Sequence, residues 1–108
     1  MTLAAAIRAG ARRRPQAIGV YFDDTGSCVL GAAYEAVTEH PDPRAVPTRE
    51  VVAGLTQHFP ELYASGGHCP DCAKRYRRLR TLLSHLNDLH FWTREQIAAW
   101  LEERKAAA

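Results

Sequence analysis

No stretch of this 108-residue chain approaches the 18 or so apolar residues that a membrane span needs. The apolar run between Met1 and Arg14 is too short for a signal peptide and passes straight into charge. Both absences lead us to expect a cytoplasmic protein. Charge of one sign is lacking too. Fourteen basic side chains face twelve acidic ones, a net +2, so composition alone announces neither a nucleic-acid binder nor a membrane-surface protein. Cysteine is scarce and odd in number, at three, which argues against a disulfide framework. There is no internal repeat and no low-complexity segment. No Ser/His/Asp set, glycine-rich phosphate loop or pair of opposed carboxylates stands out. Asp23 and Asp24 are adjacent in a turn sequence, the usual place for solvated acids. An enzyme is therefore not expected.

What is present suits one globular domain over residues 1–108, with 46% hydrophobic and 24% charged residues. At this length the core is thin, and a metal staple would matter to stability. The expected fold class is α+β: a mostly helical single domain with a short N-terminal β-hairpin and one zinc knuckle-plus-helix unit. Thr2 is placed to cap a first helix carrying Leu3, Ile7 and Ala11, which the arginines at 12–14 and Pro15 end. Ala17–Phe22 and Cys28–Leu30, rich in β-formers and separated by the turn Asp23-Asp-Thr-Gly26, predict the hairpin. Residues 31–37 read as a short helix. Pro41, Pro43 and Pro47 mark an irregular linker, and Thr48 is a plausible cap for a helix over 49–58 burying Val52, Leu55 and Phe59. Leu79, Leu82, Leu83, Leu86 and Leu89 recur at three- and four-residue steps as one apolar stripe. Thr93-x-x-Gln96 is a capping box opening a C-terminal helix within 91–105 that buries Ile97, Trp100 and Leu101. The end of that helix, Lys105 and three alanines, is expected to fray.

The chemistry sits in Cys69-Pro-Asp-Cys72, followed after twelve residues by His85 and after four more by His90. A tight turn can aim two thiolates at one point, and two histidines about a helical turn apart can aim two imidazoles at the same point. Together they make the closed S₂N₂ tetrahedron that Zn²⁺ accepts. Four protein ligands leave no open position for water or substrate, so one structural Zn²⁺ is expected. His68 could substitute as a ligand or act beside the site, but a plain turn histidine is the simpler reading. Cys28 reads as an ordinary buried thiol.

The spacing resembles a C2H2 zinc finger. That family's fuller pattern places an aromatic four residues after the second Cys and a Leu three before the first His, where Tyr76 and Leu82 stand. The resemblance implies that Arg78, Thr81 and Ser84 hold the positions that reach base edges, with Arg80 beside them. Lys74, Arg75 and Arg77 would then touch phosphate. One finger covers only about three base pairs, and the helix is more apolar than a lone finger needs.

A second resemblance, carried by His85-Leu-Asn-Asp-Leu-His90 and Trp92-Thr-Arg-Glu-Gln-Ile-Ala98, is to small, largely uncharacterised bacterial and phage proteins. Gln16–Phe22 and Cys28–Ala33 are similar to the N-terminal part of the same group. This likeness implies no activity. Asn87-Asp88 and the Thr93 cap define a helix–turn–helix-like corner that Phe91 and Trp92 could fill. The resulting expectation is a non-enzymatic zinc-binding regulatory or adaptor protein of phage or bacterial type, contacting a host or viral protein. The alternative is a DNA- or RNA-binding regulator using the basic run 74–80.

Overall fold

The structure, a computed structural model, describes residues 1–107, with side chains described to residue 105. Five α-helices are arranged around one apolar core: α1 (Leu3–Ala11), α2 (Val29–Thr38), α3 (Thr48–His58), α4 (Leu79–Asp88) and α5 (Arg94–Ala107). Short 3₁₀ turns at Pro43–Ala45 and Pro60–Tyr63 flank α3. Two two-residue strands, β1 (Gly67–His68) and β2 (Arg75–Tyr76), pair antiparallel with Gly67 opposite Tyr76.

Helix α1 starts where a threonine can replace the missing intrahelical partner. The Thr2 hydroxyl accepts from Ala5 N–H at 3.1 Å. Its buried face, Leu3, Ala4, Ala6, Ile7 and Gly10, packs on α2. Gly10 is required there, because a Cβ would run into the backbone of Ala32. On the outer side, Arg8 joins α1 to α5 through Glu95 (2.9 Å) and Glu102 (2.7 Å).

The expected N-terminal hairpin does not form. Residues 17–22 are an irregular loop held by isolated bridges from Ser27 to Gln16 and Phe22. Gly19, at φ +81°, breaks the extended run. Val29 and Leu30 belong to the first turn of α2, which Cys28 caps with its Sγ near Gly31 N–H at 3.4 Å. The local β-preference of this segment loses to burial in a helix whose residues 29–35 are all buried. Smaller differences follow the same logic. Pro47 precedes α3 and Thr48 is its first residue, which turns Val51 rather than Val52 fully inward. Ile97 is buried, whereas Trp100 and Leu101 are half-buried. Leu89, at the end of the leucine stripe, is exposed because α4 has already ended. Of the C-terminal residues expected to fray, Lys105–Ala107 are helical and Ala108 lies outside the described residues.

Two polar clusters lock the helices. The buried Glu35 carboxylate accepts two bonds from Arg14, at 2.7 and 2.8 Å. Arg94, at the start of α5, is buried with no carboxylate against it. Its guanidinium instead donates to carbonyls at the C-terminal end of α1, Arg14 O (2.6 Å) and Ala11 O (3.4 Å), and to Ser27 Oγ (3.0 Å). The negative end of the α1 dipole stabilises that cation, while desolvation pulls its pKa down. The capping box closes as expected: Gln96 N–H donates to Thr93 Oγ1 (3.0 Å) and Thr93 N–H to Gln96 Oε1 (2.8 Å).

Candidate metal centre

The β1–β2 pair exists to turn a knuckle. Cys69 N–H donates to Lys74 O (2.8 Å) and Ala73 N–H to Cys69 O (2.9 Å), which closes Cys69-Pro-Asp-Cys72-Ala73 into a tight loop. Ala73 sits at φ +63°, the left-handed region that glycine occupies without strain. The β hydrogen bonds thus belong to the cysteine loop, not to the N-terminal segment.

Helix α4 supplies His85 from its last turn. His90 lies just past the helix, where Leu89 N–H (3.0 Å) and His90 N–H (3.4 Å) both reach back to His85 O. This wrap brings a histidine five residues on to the same side as His85. The ligand atoms of Cys69, Cys72, His85 and His90 all lie within 4.8 Å of one another. His85 Nε2 is 2.9 Å from His90 Nε2 and 3.3 Å from Cys72 Sγ. Zinc bond lengths of about 2.0 Å to nitrogen and 2.3 Å to sulfur imply tetrahedron edges of roughly 3.3–3.8 Å. The His85–Cys72 separation falls in that range, the imidazole pair is tighter, and all six separations are bounded by 4.8 Å, an arrangement consistent with a metal site.

The surroundings orient these donors. Tyr76 Oη is 2.8 Å from His85 Nδ1, which leaves Nε2 to face the thiolates. Asp71 Oδ2 accepts from Trp92 Nε1 (2.8 Å) and stands 3.5 Å from His90 Nδ1, so His90 also turns Nε2 inward. The Lys74 backbone N–H, with the His85 and His90 imidazoles beside it, pulls the Cys72 thiol down to about 6. A thiolate is the form that binds metal. Cys69 is buried and Cys72 exposed, so the site has one closed and one open side. Tyr76 entered the sequence argument only as a finger-like aromatic, Trp92 only as a filler of the corner after α4, and Asp71 only as a member of the Cys-Pro-Asp-Cys turn. An acid between two ligating cysteines was the available signal for Asp71.

His68 lies exposed on β1, and Cys28 is buried beneath α2; neither belongs to the four-donor cluster. Burial pushes the Cys28 thiol up to about 11. Lys74, Arg75, Arg77, Arg78 and Thr81 are exposed, but Arg80 is half-buried with its guanidinium 5.3 Å from the Tyr63 ring. Ser84 faces a cleft lined by Tyr21, Val51 and Asp88. Of the three positions that would read bases, Arg78 and Thr81 are thus open to solvent and Ser84 is half-buried. Helix α4 is covered on most sides, with Leu79, Leu82, Leu83, His85, Leu86 and Asn87 buried. None of the five cations at 74–80 has a carboxylate partner among the described residues, and no helix there is long and apolar enough to cross a membrane.

Comparison with models of known protein families, with curated proteins and with solved structures gives no match.

Proposed function

We propose that this chain is a small zinc-binding regulatory or adaptor protein of the bacterial or phage kind, in which one Zn²⁺ is structural and function lies in contacts with another protein. The convergence of two sulfurs and two imidazole nitrogens within 4.8 Å carries this reading. A closed S₂N₂ set suits zinc over harder cations and leaves no position for substrate. The metal would tie the knuckle to α4, joining a segment of few apolar contacts to the core. Zinc coordination in small sites is coupled to folding by on the order of 10 kcal/mol, comparable to the whole stability of a domain. The test is metal analysis of purified protein beside thermal melting of Cys72→Ser. One zinc per chain and a clearly lowered Tm in the variant are expected. Metal-free wild type, or identical melting, refutes the reading.

A second reading, nucleic-acid binding, is favoured by one observation: Lys74, Arg75, Arg77 and Arg78 are exposed with no carboxylate partner among the described residues, and Arg80 stands half-buried beside them. Because α4 is covered, such binding would be to phosphate and not by groove insertion. Gel retardation that weakens steeply with salt, and is lost on charge reversal at Arg77 and Arg78, would support it. No retardation at low salt would dismiss it.

A further inference from the structure

The described residues include five large hydrophobic side chains that are strongly exposed, and one of them is Met1 at the terminus. The other four gather at one corner. Ile18 (46% exposed) and Val20 (48%) lie in the loop after α1, and Leu89 (66%) and Phe91 (69%) flank the ligand histidine His90. Hydrogen bonds set the two segments side by side. Asn87 Nδ2 donates to Ala17 O (2.9 Å), Gly19 N–H to Asp88 Oδ1 (2.9 Å), and Gln16 Nε2 to Trp92 O (2.8 Å). Scattered exposed apolar residues need no explanation, but four on two pinned segments form a patch.

Phe91 sharpens the point. Its φ is +53°, in a region that glycine or asparagine occupies at helix ends and that a bulky side chain adopts only at a cost. The backbone turn is held by Trp92 N–H donating to Leu86 O (3.0 Å), but the ring itself is mostly in solvent and gains nothing from packing inside the molecule. The corner predicted to be filled by Phe91 and Trp92 is filled by Trp92 alone. A strained, exposed aromatic ring is an observation from which an external use follows.

The rim has a sign. Asp88 uses Oδ1 for Gly19 and Asn87, and Asp71 uses Oδ2 for Trp92 and His90. The second oxygen of each has no hydrogen-bond partner among the described residues. Lys74, Arg75, Arg77 and Arg78 lie instead on the β2 side of the knuckle, and Arg44, which shares a cleft with Val20 and Asp88, is occupied by the Asp42 carboxylate and Asp24 O. From this we infer that Ile18, Val20, Leu89 and Phe91, with Asp71 and Asp88 at their edge, are a docking surface for a partner-protein segment that presents apolar side chains flanked by lysine or arginine. A second copy in two-fold arrangement would place acid against acid across the same contact, which disfavours it. The inference rests on the protein-contact reading and not on the identity of the metal. Its one link to the metal is His90, whose ligation would hold Leu89 and Phe91 in place.

The test uses the full chain loaded with zinc and labelled with ¹⁵N. The probes are a synthetic amphipathic helix of leucine and lysine and its leucine–glutamate counterpart. Saturable shifts at residues 18–20 and 88–92 with the basic peptide, and none with the acidic one, are expected. Phe91→Gly should bind at least ten-fold more weakly while melting at a higher temperature, because glycine relieves the backbone. Leu89→Ser should also weaken binding. Zinc content measured on each variant separates loss of the corner from loss of the staple. The inference is overturned by binding that Phe91→Gly leaves intact, by a lower Tm in that variant at full zinc content, by shifts centred on 74–78, by the absence of saturable binding, or by a dimer in sedimentation that Phe91→Gly dissolves.

Discussion

Asn87 is the residue on which the three parts of the fold meet, and its removal has a calculable cost. Its side chain is fully buried. Nδ2 donates to Ala17 O (2.9 Å) and Asp88 Oδ1 (2.7 Å), while Oδ1 accepts from Val29 N–H (3.1 Å) and Gln16 Nε2 (2.8 Å). One amide thus caps the first turn of α2, fixes the 17–22 loop and orients the end of α4. Asn87→Ala orphans two buried backbone groups, Val29 N–H and Ala17 O. At about 1–3 kcal/mol for each unsatisfied buried group, the loss is about 2–6 kcal/mol, a large share of the roughly 5–15 kcal/mol that holds a domain together. Asn87→Asp is the sharper probe because its shape is unchanged. It still accepts from Val29 but sets a carboxylate against Ala17 O and Asp88. Its folded pKa must rise above the unfolded value of about 3.9. A raised acid pKa means that the folded variant holds the extra proton, so the deficit against wild type grows as pH rises from about 3.9 to the raised value, is constant above it, and shrinks as pH falls back through that window. Urea unfolding of zinc-loaded wild type and both variants, at several pH values, measures this. Either variant within about 0.5 kcal/mol of wild type, the range of ordinary surface changes, would refute the reasoning. So would an Asn87→Asp deficit independent of pH.

Three further outcomes are expected. Gly10→Ala, which in an exposed helix would add about 1 kcal/mol, should instead destabilise by about 1–3 kcal/mol or more, because the new Cβ meets Ala32 backbone; a raised Tm would contradict the close α1–α2 crossing. Cys28→Ser should flatten the alkaline limb of stability. Burial pushes the thiol up to about 11 in the folded chain from about 9, so wild type loses about 3 kcal/mol as pH rises between those values, and the difference between the two proteins read by urea unfolding should show that slope. Tyr76→Phe removes the hydroxyl that orients His85 and should weaken zinc binding by about 10–100-fold in a chelator competition without unfolding the chain; unchanged affinity would show the bond to be idle.

The parts of the fold written locally were legible. The Thr2 cap, the leucine spacing of α4 and the Thr93–Gln96 box each depend on residues within a turn or two of one another, and each appears where the spacing puts it. The clustering of Cys69, Cys72, His85 and His90 was legible for the same reason, since residue type and interval alone bring the four together. What misled was tertiary. Residues 17–22 and 28–30 are rich in β-formers around a turn sequence, yet Val29 N–H is claimed by Asn87, fifty-eight residues away, and Cys28 by a helix cap. Arg94 is buried against the end of α1, a placement that no local pattern in the sequence signals. Phe91 reads as core and is exposed, because the wrap that delivers His90 leaves its neighbour outside.

The central claim is that two sulfurs and two imidazoles hold one zinc ion. X-ray absorption at the zinc K-edge of the purified full chain tests it most directly. The expected result is a four-coordinate shell of two sulfurs at about 2.3 Å and two imidazole nitrogens at about 2.0–2.1 Å. A shell of oxygen and nitrogen only, a four-sulfur shell drawn from two chains, or a sample that holds no stoichiometric zinc would contradict it.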